Sequence, residues 1–205
     1  MRVLPTFDHE KVFWEKGLNI LGIDEAGRGA FAGPLSVAGV VFDPKFTKKL
    51  LTLGINDSKL LSAKKRESLY HEIKNLAIFS HVEIVSLETI NEIGIGRATF
   101  LGMQNVYRKA EKTIRNIHCL VDAFTIPDVT NQNAIVHGDR ISISIAGASI
   151  LAKVERDLLM EKLAMEFNGY GWEQNKGYGT LSHRLALKEL GSTVQHRTQF
   201  ISNHI

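Results

Sequence analysis

Short, nearly unbroken apolar runs alternate along this chain with longer stretches whose apolar residues recur at helical spacing. Asn19 to Asp24 reads as a first buried strand and Ser36 to Phe42 as a second, joined by a glycine-rich turn. Phe79 to Val85 alternates polar and apolar positions as a half-buried strand does. Ile117 to Val121 and Ala134 to Val136 are shorter strands. Helices are predicted from the N-cap Ser62 to about Leu76, from about Arg97 to Arg115, from about Ser142 to Phe167, and from Ser182 to Leu190, where Gly191 stops the last. Within the third, the small residues Ala146, Gly147, Ala148 and Ser149 permit close packing against a sheet. Strands interspersed with helices predict an α/β fold around a mixed sheet. Repeats and linkers are missing, so one domain over residues 1–205 is expected. Its segment from about 170 onward, richer in Gly, His, Lys and aromatic residues, reads as a small C-terminal extension.

Composition changes this picture little. The 205 residues, 44% hydrophobic and 23% charged, describe a soluble globular chain with a sizeable core. The net charge of +3 permits a nucleic-acid partner without establishing one. The single cysteine, Cys119, excludes an intrachain disulfide and sits in an apolar run, where a buried inert thiol is expected rather than a nucleophile. Charges among Met1 to Lys16 leave no signal-peptide core, and the uncharged stretch Ile141 to Ala152 is too short for a membrane span. A cytoplasmic protein with no membrane partner is expected, and a monomer.

The candidate chemistry begins at Asp24 and Glu25, side by side where the first apolar run meets Ala26-Gly27-Arg28-Gly29-Ala30-Phe31-Ala32-Gly33-Pro34. The glycines let the backbone approach a ligand closely. Paired acids beside such a turn with one arginine suit a metal ion and a phosphate ester, although alone they could form a strand end and a solvated turn. Asp122 also ends an apolar run, and two strand ends can converge on one sheet edge. Asp139 lies just before the long helix and could be either a ligand or that helix's cap. An oxygen-rich set without cysteine suits Mg²⁺ or Mn²⁺ rather than zinc. Two such ions roughly 3.5–4 Å apart can activate water and stabilise a leaving oxygen. Asp157, inside the helical segment beside Arg156, reads as structural.

Taken together, Gly22-Ile23-Asp24-Glu25-Ala26-Gly27-Arg28-Gly29, Asn56-Asp57-Ser58-Lys59, Ala148-Ser149-Ile150-Leu151-Ala152-Lys153-Val154 and Lys176-Gly177-Tyr178-Gly179-Thr180 resemble ribonuclease HII, in family order across most of the chain. The resemblance implies a ribonuclease H-like mixed sheet flanked by helices, with a small helical C-terminal extension that contacts substrate. It implies a two-metal endonuclease, using Mn²⁺ or Mg²⁺, that cuts RNA in RNA–DNA hybrids and cuts 5′ to ribonucleotides embedded in duplex DNA, leaving 3′-hydroxyl and 5′-phosphate ends. Asp24, Glu25, Asp122 and Asp139 match the family's acids, Gly27, Arg28 and Gly29 its contact with the 2′-hydroxyl and nearby phosphates, and Tyr178 its ring at the RNA-to-DNA junction. Recognition of the 2′-hydroxyl is what distinguishes RNA from DNA. The chain departs from the family at Ala30-Phe31-Ala32, at Ala123 after Asp122, at Gly147, at Asn175 and at Gln199.

Lys59, Lys153, Lys176, His183, His196 and Arg197 are expected to line a phosphate track, and Lys64, Lys65 and Arg66 to form a solvated helix face. Trp172 reads as a core anchor for the C-terminal segment. Three rival readings are weaker. An enzyme needing runs of ribonucleotides would not require the junction reader. A hybrid-binding protein would not need all the acids, and the glycine turn lacks the Gly-Lys-Ser/Thr ending of a P-loop transferase.

Overall fold

The apolar run at Leu18–Ile23 occupies the middle of the sheet, where both of its faces are covered. The computed structural model describes residues 4–202. In it, strand β1 (Asn19–Ala26) lies between β2 (Leu35–Phe42), with β3 (Ala77–Val85) beyond, and β4 (Ile117–Asp122), with β5 (Gln132–Ile135) beyond. β1, β2 and β3 pair antiparallel, whereas β4 runs parallel to β1, and β5 parallel to β4. The mixed sheet predicted from the sequence is the one observed.

Helix α5 (Ile143–Glu166) covers one face together with α1 (Asp8–Trp14) and α3 (Ala63–Leu76). Helix α4 (Leu87–Glu111) covers the other. Along β2, Ala38, Val40 and Phe42 join the first core while Val37 and Val41 join the second, which explains why this strand is apolar without alternation. At Gly22 a Cβ would stand 2.2 Å from the Ser144 carbonyl carbon, so glycine alone permits α5 to approach β1 this closely. The small residues Ala146 to Ser149 are buried as expected, and Gly147 leaves room for the Phe42 ring, 3.0 Å from where a Cβ would sit.

Local signals set most boundaries. Ser62 caps α3 by accepting from the Lys65 N–H at 3.3 Å, and Ser142 caps α5 by accepting from the Ile145 N–H at 3.2 Å. Asp139 is therefore not the cap of α5. Thr180 caps α7 (Leu181–Leu190), which ends at Gly191 with φ of 76°. The helix expected at 97–115 instead spans Leu87 to Glu111, with non-helical backbone at Gly94 (φ 79°), because Ser86 caps an earlier turn that the glycines obscure in sequence. β5 lies at Gln132–Ile135, ahead of the predicted Ala134–Val136, and Val136 is exposed. The short helices α1, α2 (Thr47–Thr52), α6 (Trp172–Asn175) and α8 (Thr198–Ile201) are too brief to show a period.

The C-terminal helices pack on the end of α5, burying Trp172 and Leu187 against Met160 and Ala32. Trp172 is thus the core anchor anticipated. Cys119 is fully buried, and burial pushes its thiol up to about 12, so it is chemically inert. Among the described residues, no helix is long and apolar enough to cross a membrane.

Candidate active site

The parallel register of β1 with β4 brings the first two acids together. Ile23 pairs with Val121, so the next residues, Asp24 and Asp122, stand side by side where the β1–β4 pairing stops. β4 in turn pairs Asp122 with Ile135 of β5, and the chain then turns through the 3₁₀ segment Gly138–Arg140, which carries Asp139. The Gly138 N–H donates to Asp122 Oδ1 at 2.7 Å, tying that turn to the end of β4. Asp24 Oδ1 accepts from the Glu25 N–H at 2.7 Å. Asp24 and Asp139 are each only 4% exposed, which is unusual for carboxylates without a cationic partner enclosed beside them.

Their electrostatics show a shared environment. Burial, then Glu25 and Asp122, hold the Asp24 carboxyl well above the usual carboxylate range. Burial raises Glu25 to about 7, with Arg28 and Lys59 opposing and Asp122 and Asp139 reinforcing. Burial, Asp57 and Asp122 raise Asp139 to about 6. Asp122 is a neighbouring charge to all three of these carboxyls, so the acids share one region of negative potential that favours a cation. Glu25 Oε2 is buried with no hydrogen-bond partner. Hard oxygen donors, mutual repulsion and an orphaned carboxylate oxygen fit one or more divalent ions of the Mg²⁺ or Mn²⁺ type. Among the described residues, no three His, Cys, Asp or Glu side chains stand close enough together to form a ready-made metal cluster.

The segment Asn56–Ser58, just ahead of the exposed Lys59, is a buried brace. Asn56, Asp57 and Ser58 are almost fully enclosed, and Asp57 accepts from the Lys59 N–H at 2.9 Å and the Arg140 Nε at 3.3 Å. Ser58 Oγ lies 2.9 Å from Ser149 Oγ on α5, and Ser149 in turn hydrogen-bonds Asp24. The Lys59 ammonium stands 3.8 Å from Asp139 Oδ2. Burial opposes its charge, but Asp57, Asp139, Asp24 and Asp122 together outweigh that and raise its pKa.

The glycine-rich loop adjoins the acids and is held from below by two buried arginines. Arg197 donates to the carbonyls of Gly27, Arg28, Gly33 and Pro34, and Arg156 to those of Ala32, Pro34 and Lys176. At Gly27 a Cβ would meet Arg156 Nε at 1.9 Å, so this glycine is required by the arginine beneath it. Gly29 is exposed with open space around it, and Arg28 lies with its guanidinium 4.4 Å from the Phe124 ring centre. Tyr178 joins the loop through a bridge to Ala30, and its ring lies near the heads of Lys153 and Arg156. Ala123, where the family usually has glycine, adopts a left-handed φ of 57° directly after Asp122.

Of the residues expected to line a phosphate track, Lys59 alone carries an exposed head group, its side chain 76% exposed. The others are corrected by the structure. Lys153 pairs with Asp157 at 2.6 Å, and Lys176 pairs with Glu161 at 2.6 Å. His183, His196 and Arg197 are enclosed in the C-terminal core. Arg66 leaves the solvated face of α3 to bond the carbonyls of Ser58 and Leu61 and to approach Asp157, which is structural as read. Asn175 bonds the Tyr170 carbonyl and the Gly177 N–H, shaping the turn before Tyr178. Sequence reading missed Glu10, buried on α1, which accepts from Ser142 Oγ at 2.7 Å and the Ser144 N–H at 2.9 Å and so steadies the start of α5. An acid in a short N-terminal helix gives no signal of that partnership.

Comparison with known proteins supplies independent findings. The sequence model described as Ribonuclease HII matches residues 21–203. A ribonuclease HII of Caldicellulosiruptor saccharolyticus is 41% identical over 199 residues, covering 96% of this chain and 94% of that protein. One from Bacillus cereus is 44% identical over 200 residues, covering 97% and 76% respectively. Among solved structures, the ribonuclease HII of Archaeoglobus fulgidus, determined in complex with PCNA, matches with a TM-score of 0.74 at 30% identity, over 89% of this chain and 95% of that one. The ribonuclease H2 of Pyrococcus horikoshii matches in fold, with a TM-score of 0.72 at 24% identity, over 89% and 93%.

Proposed function

This chain belongs to the ribonuclease HII family of metal-dependent endoribonucleases that act on RNA–DNA hybrids, and we propose that it also cuts duplex DNA on the 5′ side of a single embedded ribonucleotide. The observation that supports the reading is the adjacency of Asp24 and Asp122 on the paired strands β1 and β4, with Glu25 and Asp139 near enough to feel the Asp122 charge.

Asp24, Glu25, Asp122 and Asp139 would hold two divalent ions, Mn²⁺ or Mg²⁺. When bound, such ions supply an activated water and charge stabilisation at the leaving oxygen. The protein's own share is position and charge. Asp122 is fixed through one oxygen by the Gly138 N–H, which leaves the second for a cation. Asp24 is fixed by the Glu25 N–H, with Ser149 and Ser58 behind it. Lys59 is the exposed cation beside Asp139 and would meet a substrate phosphate.

Gly27, Arg28 and Gly29 would read the 2′-hydroxyl and its phosphates largely through backbone groups, since their loop is held by its carbonyls from beneath. Tyr178 would stack on the sugar where RNA gives way to DNA. The extension from about residue 170 thereby contributes the discriminating ring, on one catalytic domain that acts as a monomer. Hydrolysis breaks the bond between phosphorus and the upstream O3′, and water's oxygen joins the phosphorus. The products end in a 3′-hydroxyl and a 5′-phosphate.

The test is cleavage of a DNA duplex carrying one ribonucleotide, with Mg²⁺, Mn²⁺ or chelator, beside all-DNA and long-hybrid controls. A metal-dependent cut 5′ to the ribonucleotide supports the reading. Cutting confined to long hybrids would overturn the junction-reading part of it.

A further inference from the structure

Behind Tyr178 lies a closed group of rings that the chemistry above does not use. His183 and His196 are 0% and 2% exposed, and Trp172, Tyr170 and Phe31 pack around them. Two touching imidazoles ordinarily leave their protons unassigned. Here the surrounding groups assign them, because a backbone or indole N–H only donates and a carbonyl only accepts.

The Thr193 N–H donates to His196 Nδ1 at 2.9 Å, so the His196 proton sits on Nε2. The Trp172 indole N–H donates to His183 Nε2 at 3.0 Å, so that nitrogen is an acceptor. His196 Nε2–H, 3.1 Å away, donates to the same atom. The His183 proton is thereby confined to Nδ1, which donates to the Tyr178 carbonyl at 3.0 Å. Both rings are neutral, and each is held in one tautomer. Moving the His183 proton to Nε2 would aim three N–H groups at one point and leave the carbonyl without this donor.

The same turn is also held by the glycine-rich loop, whose Phe31 and Ala32 N–H groups donate to the Gly177 carbonyl at 2.8 and 3.2 Å. The Tyr178 carbonyl also accepts from the Thr180 N–H at 2.8 Å, and the Tyr178 N–H donates to the Asn175 carbonyl at 2.9 Å. Gly177 precedes it with φ of 79°, and a Cβ there would lie 2.5 Å from the Ala32 carbonyl oxygen. The turn is thus pressed on the glycine-rich loop on one side and held by His183 on the other.

We propose that His183 is a positioning residue for substrate discrimination: as a neutral Nδ1–H imidazole it fixes the Tyr178 carbonyl and, through that peptide, the angle at which the Tyr178 ring meets the sugar. The inference rests on the reading of Tyr178 as the junction ring, and the experiment separates the two.

Nitrogen-15 NMR of the labelled, full-length wild-type protein tests the tautomers directly. The expected result is a protonated Nδ1 and bare Nε2 for His183, with the reverse for His196. A His183 carrying its proton on Nε2, or a doubly protonated ring at neutral pH, overturns the proposal. Kinetics test the consequence. His183→Phe keeps an aromatic ring but lacks the donor, and should lower kcat/KM on the single-ribonucleotide duplex about tenfold, the worth of one neutral hydrogen bond. Its effect on a long hybrid should stay below about threefold, and His183→Asn, which restores an N–H donor, should recover most of the loss. Equal losses on both substrates without recovery in His183→Asn would mark a merely structural residue. Tyr178→Ala is measured alongside. If it too fails to separate the substrates, the junction reading falls and this inference with it; if it separates them while His183→Phe does not, only the positioning role is lost. Should His183→Phe not fold, the NMR result on the wild type still decides.

Discussion

Arg197 donates to the carbonyl of Gly27 at 2.7 Å across a sequence separation of 170 residues, joining the last turn of the chain to the loop that begins beside the acids. The same fork reaches Arg28, Gly33 and Pro34, and among the described residues no carboxylate bonds to it. With the carbonyls drawn inward, the loop is rigid from below while Gly29 remains exposed above. Arg197→Lys should therefore keep the charge and lose the fork. Leaving several buried carbonyls unpaired should destabilise the fold by about 2–4 kcal/mol. The melting temperature should fall by about 4–16 °C, at roughly 2–4 °C per kcal/mol for a chain of this size. Calorimetry and KM for a hybrid measure both effects; an unchanged KM would show that the loop does not need this arginine.

Asp24→Asn and Asp122→Asn should reduce cleavage to background while hybrid binding, followed by fluorescence anisotropy, persists. In the absence of divalent ions each change also removes one member of a mutually repelling set. The melting temperature at pH 8 should then equal or exceed that of the wild type. Near-normal turnover in either variant would refute the assignment of the acids.

Tyr178→Ala should impair cutting at a single embedded ribonucleotide by about 10–100-fold, the range expected for one lost stacking contact. Long-hybrid cleavage should suffer less, since many equivalent sites are offered. The ring has the Lys153 ammonium 5.5 Å and the Arg156 guanidinium 5.3 Å from its centre, so these cations also set its position. Matched kinetics on the two substrates decide the matter.

Acid should loosen the C-terminal ring cluster. Burial, then His183, push His196 down from 6.5 to about 4. Below about pH 6.5 the unfolded chain takes up a proton that the folded ring refuses, so the stability from this site is present above 6.5 and lost as pH falls toward about 4. Glu25 and Asp139 act in the opposite sense, because their folded values of about 7 and about 6 exceed the ordinary 4.5 and 3.8. Their contribution is full in acid and is lost as pH rises through those values. The histidine effect is thus read as a difference: the melting temperature of His196→Phe minus that of the wild type should rise steadily between pH 6.5 and 4. A flat difference would show that His196 titrates normally.

Gly22→Ala should be costly although alanine is nearly as small. The added methyl would stand 2.2 Å from the Ser144 carbonyl carbon, a backbone atom that cannot turn aside. α5 would have to move off β1, at a cost of about 3 kcal/mol. Ser149, carried by α5, would draw away from Asp24. Chemical denaturation and cleavage rates should therefore fall together, whereas a stable but inactive variant would show that the helix shifts without loosening.

The sequence by itself determined what depends on neighbours along the chain. The apolar run before Asp24, the cap Ser62, the stop at Gly191 and the small face of α5 are local preferences that tertiary packing left in place. The acids were legible because each lies near the end of an apolar run or just after one, and their residue type already restricts the chemistry. Only the tertiary structure decided which polar residues face solvent. His183, His196, Arg197, Lys153 and Lys176 look alike in sequence to residues of a phosphate track, yet each satisfies its polar groups inside the protein. Glu10 and Arg66 likewise found partners that no spacing reveals. Burial depends on contacts between residues far apart in the chain, and a buried charge is tolerated only where distant acceptors meet it. That meeting is made by the register of β1 on β4 and by the return of the C-terminus to the Gly27–Pro34 loop, which local pattern does not encode.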